Sequence, residues 1–236
     1  TIMGILKHSL DTYNEVAYLL KRCAFMHVSD VADAFMLIPL APWLWPFFLF
    51  QWCTPDSFGV EHTHVHLFGD FGTRGLPGTF RIFLVEAIVQ MAKSEFVLTI
   101  PLAVYVDDVA MISEHLGAMT VEMINFQAWS EENCGILWKV LKDRLGDQVQ
   151  LYIGFWWSSP TLTRTLDEKK VVSYLDEIAA AASAHKLNLK TRQSLAGKIQ
   201  RAILTFPPGA ACLIVNCYRQ MSMLTLPWHT RRRPLR

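Results

Sequence analysis

The chain has 236 residues, of which 52% are hydrophobic and 18% charged, and its formal net charge is +1. This composition supports a substantial buried core, in one larger domain or two small ones, and excludes a disordered chain. Five cysteines without a CxxC pair indicate reduced thiols and an intracellular protein. The sequence starts at Thr1 without a basic leader or cleavage site, so we expect a fragment of a longer polyprotein and no signal peptide.

The charge is distributed unevenly. Residues 1–160 contain 9 Lys or Arg and 17 Asp or Glu, whereas residues 161–236 contain 13 and 4. A basic C-terminal third beside an acidic remainder is typical of a polyanion-binding enzyme with a cation site, although solvated helix faces would give the same distribution.

The first part of the chain mixes helical and strand patterns. Val16, Leu19 and Leu20 have helical spacing, and a strand pattern follows over residues 25–40. Strict alternation over residues 58–72 predicts a further strand, which ends in a glycine-rich turn.

An uncharged stretch, residues 34–55, has the length of a membrane span. It contains Pro39, Pro42 and Pro46, and each proline removes a helical hydrogen-bond donor. We therefore expect no membrane helix here, but two buried strands joined by a proline-rich turn.

The middle of the chain continues with a helix over residues 79–96, a strand pair around Asp107 and a long helix over residues 114–133. Two short strands are then expected on either side of residues 145–148, and the second is followed through residues 149–157. This order predicts an α+β layer and not a doubly wound sheet.

The last third has helical patterns over residues 171–185 and 191–206, which predict a small helical bundle. We place a domain boundary at about residue 160, between a domain of residues 1–160 and a helical region of residues 161–236.

Acidic residues close two of the predicted strands. Asp107 and Asp108 lie within "LAVYVDDVAMI", and Asp30 closes the earlier strand "HVSD". Asp30 and Asp107 are too far apart in sequence to pair locally, which suits two adjacent strands of one sheet. Carboxylates at matching heights on such strands form an oxygen-rich site of the kind that Mg²⁺ prefers, and paired metals catalyse phosphoryl transfer. The alternative is a pair of turn residues that bond the local backbone.

These residues also carry a resemblance to reverse transcriptases. "SDVADAFMLIPL" resembles palm motif A, "FGTRGLPGTFRIF" is similar to motif B, "YVDD" to motif C, and "LYIGF" to the primer grip. The motifs occur in the family's order, and the match runs from about residue 16 to residue 220. The Trp-rich hairpin and the tail resemble retrotransposons of the tyrosine-recombinase (DIRS-like) branch.

The resemblance implies a right-hand polymerase palm, an antiparallel sheet with helices on one face, followed by a helical thumb. It implies two Mg²⁺ ions, with Mn²⁺ as a substitute, deoxynucleoside triphosphates, and a DNA primer on an RNA or DNA template. Metal binding and catalysis are implied for Asp30, Asp107, Asp108, the carbonyl of Val31, and a lysine that protonates pyrophosphate, for which Lys142 is the first choice and Lys139 the alternative.

Two further groups of residues receive roles from the resemblance. Contact with the incoming nucleotide is implied for Phe35, the steric gate under the sugar, and for Phe71, Gly72, Arg74 and Gly75. Contact with primer and template is implied for Ile153, Gly154, Phe155, Lys198 and Arg201.

The sequence also departs from the family. The residues before Asp30 leave no room for most of the fingers, whose motifs bind the triphosphate, and Leu76 is unusual before the proline of motif B. Two functions therefore remain: an RNA-directed DNA polymerase, or a truncated, inactive relic that only binds nucleic acid.

His62, His64 and His66 alternate along one strand and suit zinc, although a solvated sheet face has the same pattern.

Overall fold

The structure, a computed structural model, describes residues 12–53, 61–70, 73, 75–184 and 187–206. The chain divides into two compact units. The first comprises residues 1–153 and 157–163, and the second comprises residues 154–156 and 164–236. The chain passes from one unit to the other after residues 153, 156 and 163, and the predicted boundary at residue 160 lies between the last two of these points.

A four-stranded antiparallel sheet forms the centre of the first unit. Its strands are β1 (Phe25–Asp30), β4 (Leu102–Tyr105), β5 (Asp108–Ser113) and β6 (Arg144–Asp147), in the order β4-β5-β1-β6. β1 therefore lies inside the sheet and pairs with β5 on one edge and β6 on the other. Antiparallel strands combined with helices confirm the predicted α+β class.

The helices of the first unit are α1 (Thr12–Leu19), α2 (Leu76–Arg81), α3 (Val89–Ser94) and α4 (Leu116–Cys134). A π-helical segment, Ile82–Ile88, joins α2 to α3, so the helix predicted over residues 79–96 is present but is not regular throughout.

The long helix predicted over residues 114–133 is present as α4, and it contributes to the hydrophobic core. α4 ends at Gly135, whose φ of 68° is left-handed, a conformation that glycine adopts without the clash of a Cβ. Side chains of α2, α4 and β5 form one cluster of fully buried residues that includes Phe80, Val109, Met111, Met119, Met123 and Phe126.

The strand predicted over residues 25–40 is shorter than expected. β1 ends at Asp30, because the chain turns at Asp33, which has a left-handed φ of 48°. Two 3₁₀ helices, Ala34–Leu37 and Pro42–Phe47, then replace the first of the expected buried strands. Proline fixes φ in a range that suits such turns and cannot donate to a ladder, which explains the difference.

The second expected buried strand is present but exposed. β2 (Leu49–Cys53) pairs with β3 (Glu61–Val65) in a separate two-stranded sheet, and every residue of β2 is exposed. Among the described residues, no helix has both the length and the apolar character that crossing a membrane requires.

A three-stranded sheet has the order β7-β8-β9. Its strands are β7 (Val149–Tyr152), β8 (Phe155–Ser158) and β9 (Thr163–Leu166). The second unit then contains α5 (Glu168–Ser183) and α6 (Leu189–Ile203), as the helical patterns predicted. Asn188 directly precedes α6 and caps it, because its side chain accepts a hydrogen bond from the Thr191 amide at 2.8 Å.

Candidate catalytic carboxylates

The sheet register brings two of the predicted metal ligands together. Asp30 at the end of β1 is the cross-strand partner of Asp108 at the start of β5. Directly opposed residues of antiparallel strands have Cβ atoms about 5 Å apart, so these carboxylates lie on neighbouring strands at one height. The sequence predicted Asp30 and Asp107 at matching heights on adjacent strands. The register instead places Asp108 opposite Asp30, because Asp107 lies in the turn that precedes β5.

Asp107 belongs to the tight turn that joins β4 to β5. Tyr105 and Asp108 pair across the turn, which leaves Val106 and Asp107 as its two central residues. The Val31 amide donates a hydrogen bond to the Asp107 carbonyl at 2.9 Å and ties the turn to the end of β1. Val106 has a φ of 56°, a left-handed conformation that is strained for a β-branched residue. The turn therefore stores backbone strain beside the carboxylates.

Tyr152 supports this turn from the interior. Its hydroxyl lies 2.9 Å from the Ala103 carbonyl on β4 and 3.1 Å from the Asp108 carbonyl on β5. Burial raises the pKa of Tyr152 well above its ordinary value, and the charge of Asp108 adds to this effect. The phenol therefore keeps its proton and donates it to the strand carbonyls. The sequence did not single out Tyr152, although it lies inside "LYIGF".

A lysine contacts the first carboxylate directly. Lys139 Nζ lies 2.6 Å from Asp30 Oδ1, and the Lys139 amide donates to the Asp30 carbonyl at 2.9 Å. Lys139 was the alternative to Lys142 in the sequence. Lys142 ends a short 3₁₀ turn, Val140–Lys142, and its side chain lies outside the described part of the structure.

The donor atoms at this site suit a hard cation. Within the described residues, no group of three or more His, Cys, Asp or Glu side chains is arranged to hold a metal ion. Mg²⁺ nevertheless binds to proteins through one or two carboxylates together with water and substrate phosphates, and less often in an all-protein cage. The Asp30–Asp108 pair fits that mode.

The three histidines for which the sequence offered zinc lie on β3 or directly after it. Within the described residues, His62, His64 and His66 belong to no group arranged to hold a metal ion, and the zinc alternative stays a prediction. Two of these side chains instead pack on Phe50, whose ring centroid lies 5.4 Å from that of His64 and 4.5 Å from that of His66.

The predicted nucleotide contacts are only partly described. Phe35 lies in the 3₁₀ turn after β1, with its ring edge-on to Phe80 at 6.3 Å. Gly69 packs against the Phe35 carbonyl so closely that a Cβ at Gly69 would lie 2.7 Å from it. Gly75 is buried directly before α2, and its carbonyl accepts a hydrogen bond from the Thr79 hydroxyl at 3.1 Å. The remaining contacts predicted for this group lie outside the described residues: Phe71, Gly72 and Arg74.

In the second unit, cationic side chains surround two of the predicted primer contacts. The guanidinium carbons of Arg164 and Arg201 lie 5.6 Å and 5.4 Å from the centre of the Phe155 ring. At Gly154, which has a φ of 78°, a Cβ would lie 2.7 Å from Arg201 Nη2 and would also collide with Lys170 Nζ. Arg164 and Lys170 were not predicted, because only the fold brings them beside Gly154 and Phe155.

Lys198 and Ile153 differ from the residues of this cluster. Lys198 pairs with Glu177 and lies 5.5 Å from the centre of the Tyr174 ring, so its described contacts join α6 to α5. Ile153 is the last residue of the first unit's longer segment and has a left-handed φ of 44°.

No family model matches the sequence, and no curated protein matches it. Solved structures do match. A foamy viral protease-reverse transcriptase (dRH) in complex with double-stranded DNA aligns with a TM-score of 0.64 and 16% identity, over 93% of this chain and 34% of the viral chain. Foamy viral protease-reverse transcriptase in complex with an RNA/DNA hybrid aligns with a TM-score of 0.59 and 18% identity, over 93% of this chain and 26% of the viral chain.

A third structure, of the same viral enzyme with double-stranded DNA, has a TM-score of 0.58 and 18% identity, and the match covers 93% of this chain and 40% of the viral chain. The chain therefore has a reverse-transcriptase-like fold. It spans between 26% and 40% of the length of these viral proteins.

Proposed function

We propose that the chain is the polymerase core of a reverse transcriptase and catalyses template-directed nucleotidyl transfer to a DNA primer on an RNA or DNA template. The observation that carries this proposal is the pairing of Asp30 with Asp108 across adjacent strands, next to the Asp107 turn, in a reverse-transcriptase-like fold. Like charges directly opposed across two strands repel, and a divalent cation bound between them would offset this repulsion. The proposed origin is a retroelement, with the tyrosine-recombinase branch as the lineage that the sequence favours.

The carboxylates of Asp30, Asp107 and Asp108, with the Val31 carbonyl, would hold two Mg²⁺ ions, for which Mn²⁺ would substitute. Such ions supply Lewis-acid stabilisation of the attacking and leaving oxygens. The protein fixes where the carboxylates stand, because the Asp107 carbonyl is bonded to the Val31 amide and the Asp108 carbonyl to Tyr152. Preorganised charges of this kind need no rearrangement during the reaction.

Lys139 is our candidate for the general acid that protonates the pyrophosphate leaving group. Its Nζ lies 2.6 Å from Asp30 Oδ1, within the carboxylate site. A protonated amine near the leaving oxygen lowers the barrier by general acid catalysis. Phe35 would exclude the 2′-hydroxyl of a ribonucleotide, and Gly75, together with Phe71, Gly72 and Arg74, would contact the deoxynucleoside triphosphate.

Primer and template phosphates would be bound by the second unit. Arg164, Lys170 and Arg201 lie beside Gly154 and Phe155, and cationic side chains bind nucleic-acid phosphates with release of counterions. Glycine at position 154 lets the cationic groups and the backbone approach closely. Ile153 would contact the primer end.

A second candidate function, nucleic-acid binding without catalysis, is favoured by one observation. The ammonium of Lys139 already neutralises Asp30, which satisfies this carboxylate without a metal. A relic of a polymerase would retain the cationic cluster of the second unit and lose divalent-dependent chemistry.

The two functions are separated by one experiment on the whole chain. A labelled DNA primer annealed to RNA or DNA template is incubated with deoxynucleoside triphosphates and Mg²⁺, and binding is followed in parallel by fluorescence anisotropy. We expect primer extension that requires Mg²⁺ or Mn²⁺. Binding without extension under either ion would contradict the polymerase and support the second function.

A further inference from the structure

A buried polar cluster lies under β1, on the face opposite Asp30. His27 and Ser29 of β1 are fully buried, and both contact Asp143, which directly precedes β6. His27 Nε2 is 3.0 Å from Asp143 Oδ1, and the Ser29 hydroxyl donates to the same oxygen. Gln127 of α4 donates to Ser29 Oγ at 3.0 Å and to Asp143 at 3.4 Å. These four side chains are called the His27 cluster below.

The His27 cluster is not a nucleophilic triad. The Ser29 hydroxyl bonds to the carboxylate and not to the imidazole, and no solvent reaches it. His27 Nδ1 is buried without a hydrogen-bond partner, so the tautomer with the proton on Nε2 fits, because it directs the proton at Asp143. Burial would raise the pKa of Asp143, but the hydrogen bonds from His27 and Ser29 outweigh it and lower that pKa. Asp143 is therefore an anion held by donors.

Asp143 belongs to the same short segment as Lys139. This segment runs beside the residues that follow β1. The Ala32 amide donates a hydrogen bond to the Leu137 carbonyl at 2.7 Å, and Val31 forms a β-bridge with Trp138. The 3₁₀ turn Val140–Lys142 then leads to Asp143. Side chains alternate faces along a strand, so Lys139 meets Asp30 on one side of β1 while Asp143 meets His27 and Ser29 on the other.

We propose that the His27 cluster is a register lock that positions Lys139 against Asp30. A shift of the segment along β1 would separate Asp143 from its donors and leave the His27 imidazole and the Ser29 hydroxyl buried without this partner, which is unfavourable. Apolar contacts alone would tolerate such a shift, whereas buried polar partners specify one arrangement. The inference rests on the proposed function only in giving Lys139 a catalytic role; the positioning itself does not depend on it.

The direct test is an NMR measurement of the Lys139 ammonium group. Slow exchange of its protons in wild type reports the ion pair with Asp30, and Lys139→Ala assigns the signal. We expect Asp143→Ala to abolish the signal and Asp143→Asn, which keeps an acceptor oxygen, to restore part of it. Asp147→Ala is the matched control, because it removes an exposed carboxylate from β6, and the signal should persist. An unchanged Lys139 signal in folded Asp143→Ala would overturn the proposal.

If Asp143→Ala does not fold, as judged by circular dichroism, Ser29→Ala decides the question. It removes a single donor from Asp143 and should weaken the Lys139 signal, and an unchanged signal in this variant would overturn the register lock.

A double-mutant cycle tests the link to catalysis. In primer extension, Asp143→Ala should lower kcat by about ten- to a hundredfold through misplacement of Lys139 and leave KM for primer-template unchanged. In the Lys139→Ala background, Asp143→Ala should not lower kcat further, because the lysine that the register lock positions is then absent. Additive losses would contradict positioning through Lys139. Absence of extension in wild type would count against the proposed function alone, because the NMR signal would still decide the register lock.

Discussion

The ammonium of Lys139 lies 2.6 Å from the carboxylate of Asp30, and the backbone amide of the same lysine bonds the Asp30 carbonyl. One residue is thus attached to the candidate catalytic strand at two points. Asp30 is the less exposed partner, with 12% of its side chain accessible against 32% for Lys139. Solvent screening is weaker for such a pair than for a surface ion pair, so the ion pair holds the lysine close to this carboxylate.

The first prediction separates the two candidate lysines. Lys139→Ala should lower kcat for primer extension by about a hundredfold or more, the range of a lost general acid, whereas Lys142→Ala should have little effect. Single-turnover extension across pH measures this, and exposed Lys93→Ala is the control for lost charge. A large loss with Lys142→Ala and none with Lys139→Ala would reverse the assignment.

Phe35 provides a test through sugar selection. Phe35→Val should raise the kcat/KM for ribonucleotides relative to deoxyribonucleotides, because the smaller side chain leaves room for a 2′-hydroxyl. Phe83, which also packs its ring beside Phe80, offers a matched truncation in Phe83→Val. Equal sugar ratios in both variants would make Phe35 an ordinary packing residue.

The cationic cluster predicts a difference in salt dependence between two residues of α6. Arg201→Ala should reduce the slope of log binding constant against log salt by about one, since one phosphate contact is lost. Lys198→Ala should leave the slope unchanged, because Lys198 is engaged with Glu177 and Tyr174. Titrations of primer-template at several salt concentrations measure both, and equal slopes for Arg201→Ala and wild type would remove this residue from the interface.

Strain in the carboxylate turn predicts a stabilising substitution. Asn tolerates the left-handed conformation that Val106 adopts, so Val106→Asn should raise the free energy of unfolding by about 1 kcal/mol. Chemical denaturation measures the change. Val140→Asn is the comparison at an exposed residue outside the left-handed region, and it should give no gain. A loss of stability in Val106→Asn would show that other contacts of this valine outweigh the backbone strain.

The sequence predicted the parts of the site that depend on strand pattern and left open those that tertiary contacts decide. Acidic residues beside apolar strands were enough to predict that Asp30 and the Asp107–Asp108 pair meet on adjacent strands, but not that Asp108 is the residue opposite Asp30. The choice between Lys139 and Lys142 depends on the turn before Asp143, and its position is fixed by buried donors that are distant in sequence. The cluster around Phe155 likewise joins β9 to both helices of the second unit.

The proline-rich stretch shows a second limit. An uncharged run suggested buried strands, yet most of its aromatic side chains are exposed, with 75% of Trp43 and 59% of Trp52 accessible. Hydrophobicity alone does not report burial when prolines bend the chain away from a sheet.

The most direct test of the central claim is divalent-dependent primer extension by wild type and Asp107→Asn, measured beside primer-template binding. The polymerase assignment predicts extension by wild type with Mg²⁺, a loss of at least about a hundredfold in Asp107→Asn, and unchanged binding and folding. Asp147→Asn, an equal change of charge on β6, should extend like wild type. Extension that survives Asp107→Asn would contradict the claim that these carboxylates carry the reaction.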